Sequence, residues 1–180
     1  MAAQVKRLNP RMRIILLDLP EVNCAQTYYL KGSFPSAKFV YYEDWRKHDR
    51  TWLFDADFDF AILPGWSFAD FPTECLDYMA NIRSFQEMNQ ATLAYYFQNI
   101  QRCLRVGGGF YCVNRYRKHT ADVQPILFKE YAFDDRWETV HSAPSPLQPW
   151  IHELIARRSA TPSAAFVMML KELPDDHYAK

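Results

Sequence analysis

One stretch, Asn81 to Arg115, narrows the folds open to this chain more than any other. Before it, Leu76 to Ile82 (Leu-Asp-Tyr-Met-Ala-Asn-Ile) is a mostly apolar run of strand length. Ser84 and Glu87 form a Ser-x-x-Glu pattern, the spacing of a capping box that satisfies free N–H groups at a helix start. Leu93, Phe97, Ile100 and Leu104 then recur at spacings of four, three and four, the apolar face of a helix, with Gln98, Gln101, Arg102 and Arg105 on the other side. Gly107 to Gly109 predict the helix stop, because glycine accepts the left-handed conformation common there. Phe110 to Val113 reads as a buried strand with Asn114 and Arg115 at its carboxyl end. Strand–helix–strand is the crossover unit of parallel sheets, whose ligands sit beyond the carboxyl ends of the strands.

The 180 residues suit one domain with a real core. Lys plus Arg and Asp plus Glu are balanced at 21 each, which argues against nucleic acid as the main partner, since phosphate binding leaves a basic excess. No apolar run is long enough to predict a membrane span, and Met-Ala-Ala-Gln-Val-Lys-Arg lacks the apolar core of a signal peptide. Cys24, Cys75, Cys103 and Cys112 show no Cys-x-x-Cys spacing, and Cys103 and Cys112 lie in apolar runs that suit a core. A cytoplasmic protein with free thiols is the expectation. The histidines are scattered, and no metal site is expected.

Along the chain, Arg13 to Leu17 reads as a strand buried on both faces, ending at Asp18. Leu19-Pro20-Glu21 opens a helix whose apolar face is Val22, Ala25 and Tyr29, closed by Gly32 and Pro35. An acid at the end of a parallel strand is placed to accept hydrogen bonds from a ribose diol; equally, Asp18 can cap the helix that follows. Lys38 to Tyr42 is a short strand, and Asp44 to Thr51 a surface helix or loop. Phe58 to Leu63 is a further strand, broken by Pro64-Gly65, with Trp66 placed either to stack on a base or to cover the sheet end. After Arg115, Lys118 to Asp122 is polar. Arg136 to His141 and Trp150 to Ala156 then predict an antiparallel pair at a sheet edge, with His152-Glu153 inside the second strand. Ala164 to Leu170 is apolar and fits helix or strand, and the tail from Pro174 is polar.

Several phrases together resemble the sugar O-methyltransferases, class I enzymes that use S-adenosylmethionine. They are Asp-Leu-Pro-Glu-Val (Asp18 to Val22), Tyr-Tyr-Leu (Tyr28 to Leu30), Ser-Phe-Gln-Glu-Met (Ser84 to Met88), Phe-Tyr-Cys-Val-Asn-Arg (Phe110 to Arg115) and His-Glu-Leu-Ile (His152 to Ile155). The likeness runs from Arg13 to Arg158 of a single methyltransferase-like domain, with residues 159–180 as a C-terminal extension. It implies an α/β Rossmann-like sheet, mostly parallel with an antiparallel C-terminal strand pair. It further implies that Asp18 holds the cofactor ribose, that Leu63, Gly65 and Trp66 flank the adenine, and that Asn81 and Ser84 lie beside the methyl-transfer centre.

The family's first strand and glycine-rich turn have no counterpart before Arg13, so the expectation is a sheet truncated at its N-terminus. Strand edges left open there invite a partner chain or a second copy. A non-catalytic protein, or a subunit completed by a partner, is the alternative expectation. For the reaction, methyl transfer to a sugar or glycan-precursor hydroxyl, a base is wanted. Candidates are Glu87, His141, His152 and Glu153, of which Glu87 and His152 are preferred. A capping role for Glu87 and a structural role for His152 are the plainer readings. Asn114 and Arg115 are the candidate substrate contacts, with Arg115 suited to a carboxylate or phosphate, and Lys118 and His119 follow them.

Overall fold

The computed structural model describes residues 1–120 and 123–176, which divide into two units, one of Met1–Pro72 and one from Thr73 onward. Both are built of helices and strands, and the fold is α/β with parallel and antiparallel strand pairing.

In the first unit, β1 (Ile14–Asp18), β2 (Phe39–Tyr41) and β3 (Phe60–Pro64) form a wholly parallel sheet in the order β1-β3-β2. The central position of β3 explains why all five of its residues are buried. One face of this sheet carries Phe60 and Ile62, packed with Ala3 of α1 (Ala2–Leu8) and Leu30 of α2 (Pro20–Ser33), and flanked by Ile14, Leu16, Phe34 and Phe39. Full burial of side chains of this size contributes about 1.5–3 kcal/mol each. Lys6, only 6% exposed, is satisfied by Asp59 Oδ1 at 2.6 Å and the Met12 carbonyl at 2.7 Å. Short helices α3 (Tyr42–Trp45) and α4 (Trp52–Asp55) follow β2.

Two expectations fail in this unit. β1 is half-buried throughout rather than buried on both faces, because it is an edge strand hydrogen-bonded only to β3 among the described residues. The proposed apolar face of α2 points outward: Val22, Ala25 and Tyr29 are exposed, whereas Asn23 and Leu30 are buried. Asn23 turns inward because its Nδ2 donates to the carbonyl of Leu63 at 2.9 Å and, more weakly, to that of Asp18 at 3.4 Å. Backbone carbonyls at the strand ends, not apolar spacing, set the rotation of this helix.

In the second unit, β4 (Leu76–Ile82) runs parallel to β5 (Leu104–Arg115), and α5 (Gln90–Cys103) connects them. The hairpin of β8 (Trp137–Pro144) and β9 (Ile151–Arg158) completes a sheet of order β4-β5-β9-β8. A separate antiparallel pair, β6 (Arg117–Thr120) and β7 (Val123–Leu127), occupies a stretch whose polarity hides it in the sequence; Ala121 and Asp122 lie outside the described residues. The ambiguous Ala164 to Leu170 run is helical, as α6 (Ala164–Glu172). Of the polar tail, residues 177–180 also lie outside the description. The core is aromatic: Phe97 meets Phe110, Tyr131 and Phe133, and Phe133 meets Trp137 and Phe166.

Three corrections fall here. Ser84 and Glu87 do not cap α5; Ser84 precedes and Glu87 ends a 3₁₀ turn (Phe85–Glu87), and the helix starts at Gln90 with Asn89 Oδ1 accepting from Thr92 N at 2.8 Å. Gly107 to Gly109 do not stop the helix, which ends at Cys103; they lie inside β5 as a bulge opposite the Leu76–Tyr78 step of β4. Gly107 takes φ +83°, and a Cβ on Gly108 would come within 2.8 Å of the Arg105 carbonyl and 3.0 Å of the Asp77 carbonyl. Glycine is therefore required by backbone approach, not by a helix end. Finally, β9 is not an edge strand but is held between β5 and β8, which removes His152 from the sheet edge.

Candidate functional site

The parallel pair β4 and β5 ends where the sequence places its candidate residues. After Ile82 the chain turns through Arg83, whose φ of +64° is unusual for a side chain with a Cβ, and whose N–H donates to the Val113 carbonyl at 2.7 Å. That turn folds the Ser84–Met88 phrase back over the strand ends. Asn81 Nδ2 donates to Ser84 Oγ at 2.5 Å, and Asn81 Oδ1 accepts from Phe85 N and from Asn114 Nδ2, at 3.3 and 3.1 Å. Asn114 Oδ1 accepts from Gln86 N at 3.4 Å. Gln86 Oε1 accepts from Arg115 N, and its Nε2 donates to Glu87 Oε1, each at 3.0 Å. Lys118 Nζ reaches the same Oε1 at 3.0 Å. The structure thus brings Asn81, Ser84, Glu87, Asn114 and Arg115 into one hydrogen-bonded chain.

Their accessibilities assign different roles. Asn114 is fully buried, with its side chain engaged by Asn81, Gln86 N and Cys112. The Glu87 side chain is 54% exposed, and its Oε2 takes no hydrogen bond among the described residues. The Gln86 and Lys118 hydrogen bonds, in that order, hold the Glu87 carboxyl below the usual carboxylate range, with Lys118 and Arg115 charges assisting. It is ionised at neutral pH. Gln86, 5% exposed, is the residue that sequence reasoning missed: it joins the end of β5 to Glu87, yet an amide between Phe85 and Glu87 carries no spacing signal.

His152 sits elsewhere in character. It is 1% exposed, paired in register with Asn114, with Nδ1 at 2.8 Å from Tyr116 Oη and Nε2 at 3.1 Å from Ser142 Oγ. Tyr116 and Phe128 pack on its ring. Burial, with His141 nearby, pushes its pKa down to about 4, so it is neutral at physiological pH. Burial likewise raises the Tyr116 phenol to about 12.

The remaining candidates belong to the first unit. Asp18 ends β1, half-buried, with Oδ1 accepting from Leu19 N at 2.8 Å and Oδ2 from Gln26 Nε2 at 2.9 Å. Each carboxylate oxygen has a further lone pair for a ligand hydroxyl. Leu63 is fully buried and contributes only its carbonyl, to Asn23. Gly65 opens a 3₁₀ turn (Gly65–Asp70) that presents Trp66, 57% exposed, edge-on to Tyr42 at 6.3 Å. Beside α2 lies a cleft of about 1250 Å³ lined by, among others, Asn23, Tyr28, Tyr42, Ile62, Pro64 and Trp66. Pro64 is the register partner of Asp18, so the carboxylate and the aromatic cleft share one end of the sheet. An aromatic cleft beside a hydroxyl-accepting carboxylate fits the adenosine half of a nucleoside cofactor.

No family model matches the sequence, and no curated protein does. Among solved structures, the chain is similar to the PH0226 protein from Pyrococcus horikoshii OT3, with 10% identity over 87% of this chain and 86% of that one, at a TM-score of 0.45. It is similar to the 1,6-didemethyltoxoflavin-N1-methyltransferase of Burkholderia thailandensis, solved with S-adenosylhomocysteine: 12% identity, 88% and 76% of the chains, TM-score 0.44. A putative type 11 methyltransferase from Sulfolobus solfataricus gives 13% identity, 87% and 90% coverage, and a TM-score of 0.41.

Proposed function

We propose that this protein is an S-adenosylmethionine-dependent O-methyltransferase acting on a sugar hydroxyl. The observation that carries the reading is the hydrogen-bonded chain from Asn81 through Asn114 and Gln86 to Glu87. It joins the Ser-Phe-Gln-Glu-Met and Asn-Arg phrases at the carboxyl ends of a parallel strand pair. The antiparallel β8–β9 ending of the sheet agrees with it.

When bound, S-adenosylmethionine supplies an electrophilic methyl group. In this reading Asp18 accepts the ribose hydroxyls and Trp66 stacks on the base, as the open lone pairs and exposed ring allow. Asn81 and Ser84 are the proposed contacts at the transfer centre. Glu87 Oε2 would accept the hydrogen bond of the reacting hydroxyl, orient its oxygen lone pair and take up its proton. The geometry favours Glu87 over His152 for this role, because both nitrogens of His152 are engaged and its ring is sealed from solvent. Arg115 remains the substrate contact, with Asn114 holding the strand ends in place.

The test is release of S-adenosylhomocysteine when the purified chain is given S-adenosylmethionine and a panel of neutral and acidic sugars. Turnover that falls at least about a hundredfold in Glu87→Gln, with little change in cofactor affinity, is expected for loss of an acid–base group. Equal turnover in the variant removes Glu87 from the chemistry; no turnover with any sugar by a folded, cofactor-binding chain overturns the sugar reading.

A further inference from the structure

The acceptor side of the strand-end site is unbalanced in charge. Residues 83–90 and 114–119, which build it, hold Arg83, Arg115, Arg117 and Lys118 against a single acid, Glu87, in a chain whose formal net charge is zero. Lys118 is already paired with Glu87. Arg117 faces His119, at 3.5 Å. Arg115 is different. Its backbone N–H is held by Gln86, but among the described residues its guanidinium makes no hydrogen bond and no close ion pair, only a longer-range attraction to Glu87, and its Nε is shielded from water without a partner. A half-buried guanidinium left in this state is costly, and folds retain such groups where something else completes them.

The neighbouring turn points the same way. Arg83 is held in left-handed backbone at the end of β4, a strained conformation of the kind that persists at ligand sites. The guanidinium is a planar fork suited to two parallel hydrogen bonds with a phosphate or carboxylate, and Glu87 Oε2, tied to the same strand end through Gln86, suits a hydroxyl. A neutral sugar would satisfy Glu87 and leave the Arg115 charge without a close counter-ion.

We infer that the acceptor is an acidic sugar, carrying a phosphate ester or carboxylate that Arg115 holds while Glu87 engages a hydroxyl. This rests on the sugar-hydroxyl reading above and narrows its substrate class. The anionic group fixes the sugar's orientation; the reacting hydroxyl is the one that then falls on Glu87.

Calorimetric titration of the full chain with glucose 6-phosphate, glucuronate, glucose and inorganic phosphate tests this, each with and without saturating S-adenosylhomocysteine. At least one acidic sugar binds about tenfold or more tightly than glucose, the worth of a charge-assisted hydrogen bond. Whether the phosphate or the carboxylate is preferred identifies the anion. The preference weakens with salt, disappears in Arg115→Gln and is partly kept in Arg115→Lys, which retains the charge without the fork. Equal binding of glucose and both acids overturns the inference, as does an acid preference that survives in folded Arg115→Gln. Inorganic phosphate binding as tightly as glucose 6-phosphate also overturns it, since the sugar would then add nothing. Binding of S-adenosylhomocysteine alone reports on the cofactor reading, so the two can fail separately.

Discussion

Asn114 and Asn81 are joined side chain to side chain at 3.1 Å across the carboxyl ends of β5 and β4, with Asn114 wholly buried and Asn81 only half so. The ladder pairs Asn81 with Cys112 and Ile82 with Val113, so this bond is a diagonal tie that locks the two strand ends together. Asn114→Ala therefore removes the donor to Asn81 and the acceptor for Gln86 N at once, at a position closed to water. Urea denaturation should show a loss of about 1–3 kcal/mol, the cost of stranding buried polar groups. A loss below about 0.5 kcal/mol would contradict the network.

The start of α5 can be decided by two substitutions. Asn89→Ala should cost about 1 kcal/mol, because Asn89 Oδ1 holds Thr92 N. Ser84→Ala should cost less than half of that in thermal unfolding, since its hydroxyl serves Asn81 and caps nothing. The reverse order would restore the capping box.

The glycines of β5 are ranked by what surrounds them. Gly108→Ala drives a Cβ into two backbone carbonyls that cannot rotate away, and should cost about 2 kcal/mol or more. Gly109→Ala meets only the ring of Tyr78, which is 51% exposed and free to swing outward, so its cost should stay below about 1 kcal/mol. Chemical denaturation of the two variants checks the order.

How much of this was legible in the sequence depends on what kind of force sets each feature. The strand Leu76 to Ile82 and the inner face Leu93, Phe97 and Ile100 follow from apolar periodicity, and the structure agrees with both. The rotation of α2 was not legible, because Asn23 is drawn inward by carbonyls of Asp18 and Leu63, which are distant in sequence or belong to the backbone. The same holds for Gly107 to Gly109: a glycine run reads alike at a helix end and in a bulge, and only the approach of Asp77 distinguishes them. At the candidate site, Asn81, Ser84, Glu87, Asn114 and Arg115 were readable from strand ends and phrases. Gln86 was not, since its importance lies in bonds to residues 28 and 29 positions away.

His152 makes stability depend on pH with a definite sign. Its pKa in the folded chain is depressed to about 4, whereas the unfolded chain titrates near the ordinary histidine value of about 6.5. The unfolded chain thus takes up a proton first as pH falls. The contribution is complete above about 6.5 and is lost progressively toward about 4, amounting to about 3 kcal/mol. Urea midpoints between pH 7 and 4 should fall more steeply for the native chain than for His152→Gln; parallel curves would show that the ring is not held neutral. Tyr116 and Ser142, its hydrogen-bond partners, do not titrate in this window.

The most direct measurement of the central claim is calorimetric titration of the 180-residue chain with S-adenosylhomocysteine. The account predicts saturable one-site binding that weakens at least about tenfold in Asp18→Asn, where an anionic acceptor of ribose hydroxyls becomes neutral, with the fold verified by circular dichroism. A folded chain that shows no binding, or binds equally well with Asp18 replaced, contradicts it.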